Sequence, residues 1–190
     1  NLQYHFLPLA INYDGSSPHR GDGFQFHVGT MRSKSRGFIA IKNADPQNSP
    51  TIKFNYLSHS DDLKDFRNAI RITRNILDQP AFKDYAGQEI QPKPTLVSNR
   101  ELDEFIKSSV ESAFHPCGTC KMGDPADKET VVTPECKVNG VEHLFCADSS
   151  IFPSITNGNL NAPSIMVGEK AVDHILNKPL LPKENLVPYN

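Results

Sequence analysis

The fold of this chain is decided by residues 60–79, which read SDDLKDFRNAIRITRNILDQ. Mostly apolar side chains recur there every three or four positions, the spacing of one face of an α-helix. They are Leu63, Phe66, Ile70, Thr73 and Leu77. Ser60 is a suitable N-cap, and Asp61 and Asp62 suit the positive end of the helix dipole. Pro80 should end the helix, because proline cannot continue it.

The residues before this helix favour short β-strands. Residues 4–11 form an apolar-rich run, and residues 24–28 alternate apolar and polar side chains as a half-buried strand does. Residues 38–41 and 51–54 are two further candidates. Because the connections between these stretches are short, the strands are expected to pair as an antiparallel sheet.

A second helix is predicted to start after Ser98. Ser98 and Glu101 have the spacing of a capping box. An apolar face continues at helical spacing to Ala113. The helix should end before His115-Pro116, because the residue that precedes a proline avoids helical backbone angles.

The last part of the chain is predicted to be loops with one strand and one helix. A hairpin is possible around Val131-Val132 and Lys137-Val138, where Asn139-Gly140 is a tight-turn signal. Residues 143–147 form a short apolar strand, and a helix is predicted from Pro163 to about Leu176. A single strand cannot form a sheet, so its partner strands are expected outside this chain. The predicted fold class is therefore α+β.

Composition excludes several classes of protein. Lys and Arg number 20 and Asp and Glu 22, for a net charge of -2, so the chain has no general basic surface for nucleic acid. No apolar run approaches the roughly 20 residues of a membrane-spanning helix. Four cysteines in 190 residues are too few for a disulfide scaffold. The length fits one domain or two small ones.

Reactive side chains concentrate in residues 115–123, which read HPCGTCKMG. The cysteines of the chain are Cys117, Cys120, Cys136 and Cys146. The first two could form a redox pair, although the βαβ context of thioredoxins is missing. All four could hold zinc, although the second pair has an unusual spacing. Cys117 could also be a nucleophile with His115 as its base. In a fourth interpretation, His115 is a general base and the cysteines are buried packing groups.

A second candidate segment, residues 153–163, reads PSITNGNLNAP just before the predicted last helix. Its asparagine amides and backbone N–H groups would converge at a helix N-terminus, where an anionic group is stabilised. The alternative is a capped loop without a ligand.

These two segments, together with residues 148–153 between them, resemble the C-terminal signature of the glucose–methanol–choline (GMC) oxidoreductases, which are FAD-dependent alcohol oxidoreductases. That signature is a His-Pro-x-x-Thr-x-x-Met-Gly stretch, an Asp-Ala-Ser-like element before Phe-Pro, and an Asn or His ten residues before a helical Glu. Here the last pair is Asn159 and Glu169. Further matching stretches are Phe6-Leu7-Pro8, Ala10-Ile11-Asn12-Tyr13, residues 31–37, Phe54-Asn55-Tyr56 and residues 158–162. The resemblance extends from about residue 2 to residue 176.

The resemblance implies a C-terminal third of a larger enzyme, because the Gly-x-Gly-x-x-Gly turn that cradles the FAD pyrophosphate is not in this sequence. Residues 1–112 would form the substrate-binding domain. Residues 113–176 would be a flavin-facing segment that completes the FAD domain, and residues 177–190 a C-terminal tail. The expected partners are FAD, the rest of the polypeptide, a small alcohol and an electron acceptor such as quinone. The expected location is cytoplasmic, peripheral at the inner membrane.

The resemblance also implies site residues. His115 matches the catalytic histidine, and a histidine pKa of about 6.5 suits a base for the substrate hydroxyl. Asn159 matches the partner position, where an amide can stabilise a developing alkoxide. The expected cofactor-binding residues are Asp148, Ser149, Asn161, Ala162 and Pro163. The first two match the element along the ribityl and pyrophosphate portion, with Ser149 where the family usually has Ala, and the last three match the segment at the flavin pyrimidine edge. No metal is expected.

The implied reaction is the oxidation of choline to betaine aldehyde, with hydride transfer to flavin N5, in glycine betaine synthesis. A GMC flavoenzyme for another primary alcohol and a cysteine-based zinc-binding interaction module are the alternatives. A quaternary ammonium group is usually held by aromatic rings and a carboxylate, and the sequence does not locate such a site.

Overall fold

The structure, a computed structural model, describes residues 1–12, 15–16, 21–179, 181–182 and 184. It divides into two compact units, Asn1–Phe114 and His115–Asn190. The strands are β1 (Leu2–Leu7), β2 (Gln25–Thr30), β3 (Phe38–Ala40) and β4 (Thr51–Lys53). The α-helices are α1 (Ser60–Leu77), α2 (Asn99–Ser109) and α3 (Asn161–Ile175), with short 3₁₀ turns at Pro80–Phe82 and Ser149–Ile151. The predicted α+β class is confirmed, and none of these described helices combines the length and hydrophobicity needed to cross a membrane.

The strands of the first unit form two separate two-stranded antiparallel sheets, β1–β2 and β3–β4, rather than one sheet. In the first sheet Phe6 lies opposite Phe26, and their ring centroids are 5.2 Å apart. Strand β1 is shorter than the predicted run, because Pro8 has no N–H to donate to the ladder. In the second sheet Ile39 lies opposite Ile52.

Helix α1 spans nearly the predicted range but has a different N-cap. His59 occupies the cap position, and its Nδ1 accepts a hydrogen bond of 3.2 Å from the backbone N–H of Asp61. Ser60 is therefore the first residue of the helix, and its predicted role as the cap was wrong. The sequence preference for serine at N-caps was overridden because the preceding histidine offers an acceptor of its own.

Helix α2 has the predicted capping box between Ser98 and Glu101, and it packs Leu102 and Ile106 against Ile70 of α1. These residues form the core of the first unit. The helix ends at Ser109, before the predicted apolar face is complete. Ala113 is exposed, so extending the helix to this residue would bury no further apolar surface.

Asp62 joins α1 to the loop between β2 and β3. Its side chain is only 2% exposed, and it accepts hydrogen bonds from Ser33 Oγ (2.5 Å), Lys34 N (2.7 Å) and Ser35 N (2.8 Å). Burial pushes the pKa of this carboxyl up, but the hydrogen bonds outweigh burial and lower the pKa from 3.8 to about 2. A buried carboxylate therefore fixes the loop that contains residues 31–37, one of the stretches that resemble the GMC family.

Replacing Asp62 with Asn should destabilise the protein. A pKa lowered from 3.8 to about 2 corresponds to about 2 kcal/mol of unfolding free energy at pH 7. Because the folded-state pKa is the lower one, this contribution is complete above pH 4 and is lost as pH falls towards 2. Urea denaturation of both proteins at several pH values measures it.

Asp65→Asn is the matched control, since Asp65 is an exposed carboxylate on the same helix. We expect it to change the unfolding free energy by less than about 0.5 kcal/mol. A difference between wild type and Asp62→Asn that does not shrink below pH 4 would contradict the assignment.

The second unit is built from loops around one buried cluster, with α3 as its only described α-helix. The cluster contains Val132, Cys136, Ile151, Phe152, Leu160, Val167 and Ala171. The predicted hairpin is reduced to single bridges, Val132 with Val138 and Lys137 with Phe145. The predicted strand at 143–147 is not formed among the described residues, apart from that bridge. His143 adopts a left-handed backbone (φ 58°), which interrupts an extended run.

Candidate active site

The two residues predicted to be catalytic meet in the second unit. Nε2 of His115 lies 3.1 Å from Oδ1 of Asn159, although the residues are 44 positions apart in sequence. With the amide in this orientation, an N–H at Nε2 would donate to the amide oxygen, whereas a rotated amide would donate its own N–H to an unprotonated Nε2. The contact therefore brings together an imidazole and an amide that can each donate or accept a hydrogen bond.

Backbone hydrogen bonds position the loop that carries His115. Residues 118–122 run along the turn Ser149–Ile151, and Gly118, Cys120 and Met122 donate N–H bonds of 3.2, 2.8 and 2.8 Å to its three successive carbonyls. The Ser149 hydroxyl lies 3.2 Å from the Pro116 carbonyl and donates to it. This ladder, which includes the residue directly after His115, holds the loop in place.

Gly118 is a positioning residue that the sequence analysis did not single out. Its φ is +85°, and a Cβ placed there would lie 3.2 Å from the carbonyl oxygen of Phe152. Only glycine adopts this backbone without strain and allows so close an approach. A glycine three residues after the histidine was the available signal, but its contact partner lies far away in sequence.

Asn159 is held between two constraints on the other side of the site. Gly158 before it has a φ of +81°, and Leu160 after it is 4% exposed within the buried cluster. Leu160 is also the N-cap residue of α3. The amide is therefore fixed by a turn on one side and by the core on the other.

The start of α3 receives no cap from the side chain of its N-cap residue. Helix α3 begins at Asn161, and Pro163 lies in its first turn as predicted. The N-cap residue Leu160 makes no side-chain hydrogen bond, and the backbone N–H and the hydroxyl of Ser164 both donate to the Leu160 carbonyl. A negative group placed at this helix N-terminus would be stabilised.

Asp148 lies at the start of the 3₁₀ turn that supports the His115 loop. Its carboxylate accepts a hydrogen bond of 2.8 Å from the Ser150 N–H. Hydrogen bonds from Ser150 lower the pKa of Asp148, so this side chain is an anion at neutral pH. It retains acceptor capacity for a hydroxyl group of a ligand.

Three of the four cysteines pack in or against the buried cluster of the second unit. Cys136 is 3% exposed, and Cys117 and Cys146 pack against the same buried cluster. Burial raises the pKa of the Cys136 and Cys146 thiols, which disfavours the thiolate that zinc binding or nucleophilic attack needs. Among the described residues, no group of three or more His, Cys, Asp or Glu could hold a metal ion. The zinc-binding alternative is therefore not supported.

Comparison with known proteins agrees with this geometry. The family model described as GMC oxidoreductase matches residues 33–168, and the chain belongs to that family. It is similar to proteins named oxygen-dependent choline dehydrogenase, with 59% identity over 189 residues to that of Brucella ovis and 54% to that of Rhizobium rhizogenes. Each alignment covers 100% of this chain and 34% of the relative, so the chain spans about a third of their length.

Solved structures give the same family. Pyridoxine 4-oxidase from Mesorbium loti superimposes with a TM-score of 0.79 at 28% identity, over 90% of this chain and 33% of that protein. Formate oxidase superimposes with a TM-score of 0.84 at 27% identity, over 93% of this chain and 31% of that protein. The family resemblance predicted from the sequence is confirmed. The individual roles of His115, Asn159 and the cofactor-binding residues stay predictions.

Gly118→Ala should destabilise the second unit. The new methyl group would force a left-handed alanine against the Phe152 carbonyl, and we expect a loss of about 1–2 kcal/mol of unfolding free energy. Thermal unfolding followed by circular dichroism measures it.

Gly168→Ala is the matched control within the same unit. Gly168 lies inside α3, and a Cβ there would meet no atom of the described chain within 4 Å. Alanine is favoured over glycine in a helix by roughly 0.5–1 kcal/mol, so this variant should unfold at a higher temperature. Equal melting temperatures for the two variants would contradict the role given to Gly118.

Proposed function

We propose that this chain is the C-terminal, substrate- and flavin-facing part of an FAD-dependent choline dehydrogenase that oxidises choline to betaine aldehyde. The contact between His115 and Asn159 carries the proposal, because it assembles a base and an amide in a chain of the GMC family. The names of the similar curated proteins support choline as the substrate. Residues 1–112 are proposed as the substrate domain and residues 113–176 as the flavin-facing segment.

His115 is proposed as the general base. A carbon that bears a neutral hydroxyl is a poor hydride donor, so the hydroxyl proton must leave before or with the hydride. Unprotonated Nε2 of His115 would take that proton. The hydrogen-bonded ladder along Ser149–Ile151 holds the loop and so limits the movement of the ring. Such positioned proton transfer contributes roughly 10²- to 10⁴-fold to a rate.

Asn159 is proposed to stabilise the alkoxide that forms. Its amide N–H would donate to the oxygen as negative charge develops there. A preorganised donor is worth about 3–4 kcal/mol of barrier, because it need not reorient during the reaction. The turn at Gly158 and the buried Leu160 supply this preorganisation.

The residues around α3 fit FAD. When bound, FAD would supply the hydride acceptor of the reaction. The N-terminus of α3 at Asn161 and Ala162, next to Pro163, would face its pyrimidine edge, which gains negative charge on reduction. The Asp148 carboxylate and the Ser149 hydroxyl would line the ribityl and pyrophosphate portion. The Ser149 hydroxyl already donates to Pro116, so towards the cofactor it would accept a hydrogen bond.

The partners and location of the whole enzyme are also part of the proposal. The relatives' name, oxygen-dependent choline dehydrogenase, supports oxygen as an electron acceptor. A quinone is the alternative, and it would fit a cytoplasmic enzyme peripheral at the inner membrane. Oxygen consumption with and without added quinone, measured on the full-length protein, distinguishes the two acceptors.

His115→Ala and Asn159→Ala in the full-length protein test the mechanism. We expect anaerobic flavin reduction by choline to slow by at least about 10²-fold in each variant, because each removes one part of the proton-transfer and charge-stabilising pair. Stopped-flow absorbance of the flavin measures the rate. The double variant should lose less than the product of the two single effects, since the residues are in contact.

His174→Ala is the control, because His174 lies in the last turn of α3, at the opposite end of that helix from Asn159. It should reduce at the wild-type rate. Wild-type reduction rates in either active-site variant, with a full complement of FAD, would refute the proposed function.

A second candidate is a flavoenzyme for another primary alcohol. The similarity to pyridoxine 4-oxidase favours it, because that protein has a comparable fold and a name that indicates a different substrate. A panel of choline, pyridoxine and benzyl alcohol on the full-length protein separates the candidates. We expect kcat/KM to be at least about tenfold higher for choline, corresponding to about 1.4 kcal/mol of discrimination.

A further inference from the structure

Two cysteines that are far apart in sequence meet beside the turn Ser149–Ile151. The backbone N–H of Cys120 donates to the Ser150 carbonyl at 2.8 Å, and Sγ of Cys146 lies 3.1 Å from the Ser150 hydroxyl oxygen. The two thiols also hydrogen-bond to each other. The sulfur atoms of Cys120 and Cys146 are therefore direct neighbours, which is the first requirement for a disulfide.

The surroundings of the two sulfur atoms differ. Both cysteines are half-buried, so a molecule as small as a peroxide can reach them. Cys146 packs against the buried cluster of the second unit, whereas Cys120 neither belongs to that cluster nor packs against it. Burial raises the pKa of the Cys146 thiol, although the hydrogen bond with the Ser150 hydroxyl acts in the opposite direction. We therefore expect Cys120 to react first with an oxidant, since the thiolate is the reactive form.

The other pairings of cysteines are less favourable. Cys117 has the Cys-x-x-Cys spacing with Cys120, but it packs against the buried cluster, whereas the Cys120 thiol meets Cys146. Cys136 is a neighbour of Cys146, whose backbone N–H donates to the Cys136 carbonyl at 2.9 Å. However, Cys136 is only 3% exposed, and burial raises the pKa of its thiol. The structure therefore favours one pair, and it is not the pair that the sequence spacing suggests.

We propose that Cys120 and Cys146 are an oxidation site, at which hydrogen peroxide forms a reversible disulfide. Cys120 lies in the ladder that holds the His115 loop, and Cys146 lies just before the turn that receives this ladder. The disulfide would thus add a covalent bond between two segments that only hydrogen bonds join in the reduced protein.

The oxidation balances in two steps. The Cys120 thiolate attacks one peroxide oxygen, the O–O bond breaks, and a sulfenic acid forms while the second oxygen leaves as hydroxide and is protonated to water. The Cys146 thiol then attacks the Cys120 sulfur, the S–O bond breaks, and the hydroxyl group leaves with the thiol proton as a second water. The two sulfur atoms together lose two electrons, which the peroxide gains. Cys146 thereby stops the oxidation of Cys120 before the irreversible sulfinic acid.

The enzyme itself can supply the oxidant. When oxygen takes two electrons and two protons from a reduced flavin, the product is hydrogen peroxide. This source of peroxide is the one element that rests on the proposed function. The formation of the disulfide depends only on the positions of the two thiols.

Treatment of the full-length protein with hydrogen peroxide, in the absence of any alcohol substrate, tests the proposal. The remaining thiols are blocked with N-ethylmaleimide, and tryptic peptides are mapped by mass spectrometry. Trypsin separates Cys120 from Cys146, because it cuts after Lys121 and Lys137. We expect most wild-type chains to carry a disulfide between these two peptides, and dithiothreitol should restore both thiols.

Single cysteine variants identify the partners. Cys120→Ala and Cys146→Ala should each lose the cross-link, and in Cys146→Ala the Cys120 thiol should proceed to sulfinic acid, which dithiothreitol does not reverse. Cys117→Ala and Cys136→Ala are the matched controls, and each should keep the wild-type cross-link. The first control is needed because Cys117 and Cys120 lie on the same tryptic peptide.

Hydrogen–deuterium exchange measures whether the cross-link fastens the His115 loop. After oxidation, the backbone amides of residues 117–122 should exchange at least about twofold more slowly in the wild type, because local opening of the loop is restricted. The same treatment should leave their exchange unchanged in Cys120→Ala.

Four results would overturn the proposal. They are no cross-link in the wild type, a cross-link that survives Cys120→Ala or Cys146→Ala, loss of the cross-link in Cys117→Ala or Cys136→Ala, and unchanged amide exchange after oxidation. Failure of the proposed function looks different, because it appears as unchanged flavin reduction in His115→Ala while added peroxide still forms the cross-link.

Discussion

The ladder between residues 118–122 and the turn Ser149–Ile151 is the constraint on which the candidate site depends. Backbone N–H groups from three alternate residues bind three successive carbonyls, and the Ser149 hydroxyl binds the carbonyl of Pro116, two residues before Gly118. Backbone hydrogen bonds do not use side-chain atoms, so they hold the His115 loop whichever side chains stand at the intervening positions 119 and 121. The side chain of His115 therefore extends from a loop whose backbone is already hydrogen-bonded to residues 149–151.

The Asn159 side of the site is fixed in part by the burial of neighbouring residues. Ile151, Phe152 and Leu160 lie in one cluster with Val167 of α3, so the turn that receives the ladder and the helix that follows Asn159 share a core. Displacing Asn159 would therefore expose apolar surface, at roughly 25 cal/mol per Å². The backbone ladder holds His115 and the buried cluster holds Asn159. Together they leave His115 Nε2 and Asn159 Oδ1 3.1 Å apart.

In the first unit a buried charge holds a loop in place, whereas in the second unit apolar packing holds the segment around Asn159. Asp62 is buried in a ring of hydrogen-bond donors from Ser33–Ser35, and it ties the loop after β2 to the start of α1. A buried carboxylate is tolerated because its oxygens are satisfied, and its lowered pKa keeps it ionised. The same unit leaves the rings of Phe6 and Tyr85 largely exposed.

The sequence by itself determined the α+β class, nearly the whole range of α1, the start of α2, the capping box at Ser98 and the family, because periodicity, caps and motif order are local properties. The family resemblance also paired His115 with Asn159. Only the tertiary structure decided that His59 caps α1, that residues 143–147 form a bridge and no strand, and that the Ser149 hydroxyl binds Pro116. Each of these features depends on contacts that tertiary packing determines, and a local sequence pattern does not specify that packing.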